Sequence, residues 1–331
     1  MKRPRRWIAQ EIDALDPEVD YERIWRLTST YGLNEFALNL VYAHLFPHFY
    51  IAEHGAEPLW DHGAGKVVER ATQRVEDTIR NNLIWWYYGP GHPKTRKSVE
   101  AINKLHAFHA QRHPGRFAHQ EDYLYTLAFS AASLHRFNLK LGLPGYTDKQ
   151  KVAAHRFWQA MAGLFIDENG KRIVDFPSDW NSMIEFLDEF ERRAWPPNPA
   201  GELVTHAILD QFAHRFFPRS LHGLARALAI ASYNPTCWRV HNMRVPPKVV
   251  RVVLLRVTGW GLRLQRALLP DPVSSYQERL EAMDKSQRHE RHRAIRELDS
   301  DFAEFFRRRH RLGIPAKRAG DAVPREAPFG G

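Results

Sequence analysis

Apolar residues recur at three-and-four spacing over 19–31, 35–50, 66–87, 98–111, 121–141, 148–164, 179–193, 201–216, 220–233 and 246–268. That period turns one face of a helix toward a core. The interruptions are turn formers: Gly89-Pro90-Gly91, His113-Pro114-Gly115, Leu143-Pro144-Gly145 and Trp195-Pro196-Pro197. Thr147-Asp148 and Ser178-Asp179 have the character of helix N-caps. Only 170–176 has the pattern of a short strand. The expectation is an all-α fold, with one multi-helix domain over 15–270. Residues 1–14 read as a basic N-terminal segment, and 271–312 as a long, charged, solvated C-terminal helix. Residues 313–331, rich in Gly, Pro and Ala, have the composition of a disordered tail. No internal repeat is visible.

Composition supports a soluble globular chain, with 44% hydrophobic and 26% charged residues. No window approaches about eighteen uninterrupted apolar residues, so no membrane-spanning helix is expected. The opening MKRPRRW is basic but is followed by no apolar run, which is not the pattern of a secretory signal. The expected location is therefore cytoplasmic. Cys237 is the single cysteine, which excludes disulfide frameworks and cysteine-built metal sites. Any metal would have to be held by the 18 histidines and by carboxylates.

The net charge of +10 favours anionic partners: nucleic acid, anionic lipid or an acidic cofactor. Arg3, Arg5 and Arg6 open the chain, and Arg307, Arg308, Arg309 and Arg311 close the last helical pattern. Such terminal runs read as solvated ends. The aromatics lie inside helical patterns rather than among the arginines, so nucleic acid is not an expected partner. Over 249–269, Arg251, Arg256, Arg263 and Arg266 fall within an arc of roughly 140°. Val253, Leu254, Val257, Trp260, Leu264 and Leu268 fill the opposite side. This basic amphipathic helix suits peripheral contact with an anionic membrane. It also suits a core helix whose apolar side packs inward and whose arginines meet water.

Familiar chemical signatures are missing. There is no Gly-rich dinucleotide fingerprint, no phosphate-binding loop spacing at Gly63-Ala64-Gly65-Lys66, no His-Glu-x-x-His and no Gly-x-Ser-x-Gly. Histidines on helices remain. His106, His109 and His113 share one stripe, which can offer haem iron a neutral imidazole or can be an ordinary polar face. His206, Asp210 and His214 make a second stripe of ligand types, although one helix rarely aims all three at one ion. His135 and His155 stand alone on apolar helices. Arg74 and Thr78 are one turn apart; the arginine can pair with a propionate or with Glu76 or Asp77 on its own helix.

The stretch Ile102-Asn103-Lys104-Leu105-His106, followed by Glu121-Asp122-Tyr123-Leu124-Tyr125-Thr126-Leu127, resembles the MpaB family, which is related to latex clearing protein, the rubber oxygenase. Arg74-Val75-Glu76-Asp77-Thr78 resembles its Arg-x-x-Asp-Thr element, and Arg156-Phe157-Trp158 with Gly163 resembles its Phe-Trp helix. The resemblance covers about 20–270. It implies a globin-like core holding haem b and a reaction of dioxygen with the carbon–carbon double bond of an isoprenoid-like chain. It makes His106 the proximal iron ligand and places Arg74 and Thr78 at the haem pocket, on the distal side or by a propionate. Where the family often has Glu-Pro-(Ile)-Arg, this chain has Ala132-Ser133-Leu134-His135. His135 is thus the expected substitute base or second ligand, with His155 the next choice as ligand and Glu57 a candidate base elsewhere. An insoluble polymer calls for a secreted enzyme, so a small apolar alkene is the expected substrate. The alternatives are a haem- or apolar-ligand-binding protein without oxygenase activity and, further off, a nucleic-acid-binding helical protein. Oligomeric state is not legible.

Overall fold

A computed structural model describes residues 4–313. Its regular structure is helical: α1 (Trp7–Ala14), α2 (Tyr21–Ser29), α3 (Glu35–Leu45), α4 (Ala56–Trp60), α5 (Lys66–Glu69), α6 (Ala71–Tyr88), α7 (Pro93–Arg112), α8 (Gln120–Leu141), α9 (Asp148–Ala162), α10 (Trp180–Arg192), α11 (Pro199–Phe216), α12 (His222–Ala231), α13 (Pro235–Val240), α14 (Lys248–Leu268), α15 (Tyr276–Glu281), α16 (Lys285–Ser300) and α17 (Phe302–His310). No strand occurs among the described residues; at 170–176 the chain makes only an isolated bridge between Ile166 and Arg172.

Local chemistry explains most helix ends. Thr147 and Gln150 close a reciprocal cap on α9, and Asp179 with Ser182 does the same on α10. Pro93, Pro199 and Pro235 open α7, α11 and α13, where a missing N–H costs nothing. Gly89 and Gly142 end α6 and α8 with positive φ. The pattern expected as one helix over 35–50 stops at Leu45, and a 3₁₀ turn carries Pro47 onward. The pattern over 66–87 breaks at Arg70, so α5 and α6 meet at an angle.

Burial builds one large core. Trp25 of α2 stacks on Phe157 of α9 at 5.3 Å and meets Trp86 and Trp158 edge-on. Along α8, Tyr125, Ala128, Phe129, Ala131 and Ala132 are buried, and along α11 nearly every side chain from Val204 to Ala213 is buried. Each large side chain so enclosed contributes about 1.5–3 kcal/mol.

Both ends of the described chain join this body. Trp7 and Ile12 of α1 pack with Ile24, Leu27 and Ala153. Arg5 donates to the carbonyls of Ala267 and Leu268 at 2.6 and 2.8 Å, and Arg6 to that of Leu269 at 2.9 Å. Arg5 and Arg6 thus cap the C-terminus of α14 instead of lying free in solvent. The charged segment after 271 is three helices rather than one long solvated helix. Asp284 starts α16 with its own cap, and α17 buries Phe302 and Phe306 against the core. Asp299 of α16 accepts from the N–H groups of Thr72 and Gln73 at 2.6 and 3.0 Å. That supplies the cap that α6 lacks in its own sequence. The tail expected to be disordered lies, from residue 314 on, outside the described residues.

Candidate functional site

Helix α6 carries Arg74 and Thr78, and α7, packed against it, carries His106. The two acids that might have neutralised Arg74 are engaged elsewhere. Glu76 receives Arg215 at 2.7 Å and Arg291 at 2.6 Å, and both arginines also reach Glu35. This closed ring of four charges ties α3, α6, α11 and α16 together. Asp77 takes Lys66, Gln73 and Arg80. Arg74 is left half-buried, donating to the Thr78 hydroxyl and lying 4.9 Å over the Phe46 ring. Thr78 in turn donates to the Arg74 carbonyl at 3.2 Å. Arg74 has no carboxylate partner among the described residues. A partly desolvated, uncompensated guanidinium is costly, and it marks a place where an anion would be favoured.

His106 is half-buried, its ring stacked on Phe117 at 4.9 Å. Its Nδ1 faces the Tyr123 hydroxyl at 3.4 Å, a pairing in which either group can donate. The Pro114-Gly115 turn returns the chain between α7 and α8 and brings position 123 opposite position 106. Burial, then the charges of His109 and Arg74, push the His106 pKa down to about 4, so the imidazole is neutral at physiological pH. His109 is lowered for the same first reason. His113 ends the stripe 3.7 Å from Asp61. Arg74 therefore acts electrostatically on the His106 stripe while its head group touches Phe46.

Phe46 and Thr78 also line an apolar recess between α3 and α6, with Leu38, Tyr42, Ile79 and Trp86 among its walls. The space it encloses is about 20 Å³, room for about one water. Two lining residues, Tyr42 and Trp86, have a buried Oη and Nε1 without a hydrogen-bond partner among the described residues. Unpaired buried donors of this kind are uncommon.

The donor set fits a haem: a neutral imidazole with Nδ1 held by a hydroxyl, a cation free for a propionate, and an apolar wall with unpaired donors. The space is tighter. With room for about one water the recess falls far short of the roughly 300–1,000 Å³ of small-molecule sites, and His106 does not line it, so seating a macrocycle requires the helices around Arg74 to part.

The other expected residues lie apart from this pair. His135 accepts the Tyr146 N–H on Nδ1 at 2.8 Å and packs against Tyr146 and Trp180. It shares no contact with Arg74, Thr78 or His106 and organises the α8–α9 turn. His155 Nε2 meets the Pro177 carbonyl at 2.7 Å. Glu57 pairs with Arg116 at 2.7 Å. On α11, fully buried Asp210 is occupied by Arg226, Arg309 and His310, while His214 pairs with Asp301. That stripe joins α17 to the core, and no three ligand-type residues gather around one point among the described residues.

Two arrangements escaped the sequence. His54 Nδ1 contacts Asp122 at 2.9 Å, and the His119 ring stacks on His54 at 3.6 Å. Lys140 is half-buried and donates to the Ser232 carbonyl, and desolvation lowers its pKa to about 8. Their partners are 68 and 92 positions distant, so no local spacing could have announced them. The Tyr123–His106 pairing was closer to legible, because the two flank one Pro-Gly turn. Compared with known proteins, the chain matches no protein-family model and no curated protein.

Proposed function

We propose that this chain is a haem-dependent oxygenase of the MpaB type, built on a globin-like core and acting with dioxygen on a small, apolar, alkene-containing substrate. The observation that carries the reading is Arg74: a half-buried cation without a carboxylate, one helix away from a neutral imidazole. The resemblance at residues 74–78 and 102–127 names the same residues for a propionate partner and an iron ligand.

In this reading His106 would hold the iron, with its Nδ1 kept in place by the Tyr123 hydroxyl. Arg74 would hold a propionate. Thr78, Tyr42, Phe46 and Trp86 line the wall that excludes water and holds the apolar substrate. Bound haem b supplies the capacity to activate dioxygen. His135 stands apart from these residues, with its Nδ1 accepting from the Tyr146 N–H at the α8–α9 turn.

The test is the visible spectrum of protein purified from haem-supplemented cells. Wild type should show a Soret band, His106→Ala should lose it, and Arg74→Ala should lower haem content with helicity unchanged. Full haem retention by His106→Ala would overturn the assignment.

A second reading has its own observation. The recess is apolar, is lined by α3 and α6 with Val41 on its wall, and excludes His106; an apolar-ligand carrier without haem would widen this recess to take its ligand. In that case no Soret band appears, and a fluorescent apolar probe binds wild type but not Val41→Phe, which fills the recess.

A further inference from the structure

Helix α14 is mounted with its apolar side outward. Gly259 is its one buried residue, seated against α8, where a Cβ would collide with the Leu141 carbonyl. The arginine-bearing side is the one turned toward the body, with Arg251 partly covered and Arg256, Arg263 and Arg266 reaching solvent along its edges. Arg263 donates to the Gly142 carbonyl, closing the C-terminus of α8, and Arg251 lies 4.5 Å over the Trp238 ring. The opposite stripe, Val249, Val253, Val257, Trp260, Leu264 and Leu268, stands 52–73% exposed. On neighbouring α12, Leu221 just before the helix and Leu224 within it are also exposed. Inward packing of the apolar side is therefore not what the fold does.

Single exposed apolar residues are ordinary; a stripe along 21 helical residues is not. It runs about 30 Å. Its electrostatic setting identifies what covers it. Residues 211–270 contain ten Lys and Arg and no Asp or Glu, which equals the whole net charge of the chain. Arg219, Arg239, Arg244, Lys248, Arg256, Arg263 and Arg266 in this stretch are exposed. Arg256 and Arg263 border the stripe, and Lys248 stands at its start. A second copy laid stripe to stripe would face these cations with the same cations and no carboxylate to compensate.

We infer that α14 is an interfacial helix that seats the protein on an anionic lipid bilayer, its Val–Trp–Leu stripe entering the headgroup boundary and its bordering cations meeting lipid phosphates and carboxylates. Exposed tryptophan at that boundary is favoured by its amphipathic ring. No helix of the described residues is long and apolar enough to cross a membrane, so the attachment is peripheral. Cations near an anionic leaflet each add about 1 kcal/mol at low salt, and long side chains can keep their heads in the interface while their stems cover apolar surface. The inference is independent of the haem proposal.

The experiment is co-sedimentation of the full chain with vesicles of phosphatidylcholine alone, or with one quarter phosphatidylserine, at low and high salt. It is paired with light scattering of the free protein. Wild type should pellet with the anionic vesicles, less with neutral ones, and be released by salt. Val257→Glu/Trp260→Glu should lower partitioning by at least about tenfold, the effect of removing more than 1.4 kcal/mol of apolar insertion. Because both side chains are exposed, circular dichroism should match wild type. Equal partitioning of the double variant and wild type would overturn the inference. So would a wild-type dimer that the double variant makes monomeric without vesicle binding by either, since the stripe would then be a subunit interface. Binding only after deletion of 314–331 would overturn it as well, by making that segment the occupant.

Discussion

Arg74 shows how a residue acquires meaning from what its neighbours do. Its helix offers two acids at hydrogen-bonding spacing, yet Glu76 and Asp77 are drawn into other pairs, leaving the guanidinium on an aromatic face. Cys237 shows the reverse, a reactive side chain silenced by its surroundings. It is fully buried, and desolvation raises its thiol pKa well above the ordinary value. Because the thiolate is the reactive form, a thiol reagent should leave the native protein unlabelled for hours at pH 8. It should label one equivalent at once in denaturant. Rapid labelling under native conditions would mean that the α13 region opens.

At the scale of elements, amphipathicity says that a helix has two faces but not which one the body takes. For α14 the choice is made by Gly259, which allows the helix backbone to lie against the last turn of α8, and by Arg263, which answers a carbonyl there. A side chain at 259 cannot be absorbed, because the obstacle is backbone. Gly259→Leu should therefore destabilise by about 1–3 kcal/mol, read as a lower urea midpoint. It should also increase protease cleavage within 244–270. Unchanged stability would show that α14 is not held at this contact.

For the whole molecule, imidazoles withdrawn wholly or partly from water set the response to acid. His44 and His48 are held well below the ordinary pKa by burial, and His106, His206 and His241 are lowered to about 4, burial again the largest cause. An unfolded histidine titrates near 6.5. Between about pH 6.5 and 4 the unfolded chain therefore binds protons that the folded chain refuses. Stability is whole above that window and falls as pH drops through it. His241, with none of its surface exposed, alone contributes about 1.4 kcal/mol per pH unit there. Urea midpoints at pH 7, 6 and 5 should decline progressively. A flat profile would mean that these imidazoles are protonated in the folded state.

Most helices, the glycine and proline stops and several caps were legible because they depend on residues within a turn of one another: the three-and-four period and Thr147 ahead of Asp148; the breaks at Leu45 and Arg70 were not. Local pattern likewise picked out Arg74, Thr78 and His106 as candidates. It could not show that Tyr123 faces His106, that Asp299 caps α6, that the charged end of the chain breaks into helices burying Phe302 and Phe306, or that His135 serves a turn. Nor could it say which side of α14 meets solvent. Each of these depends on groups brought together from distant positions. Their partners, their desolvation and their pKa values exist only once the helices have packed.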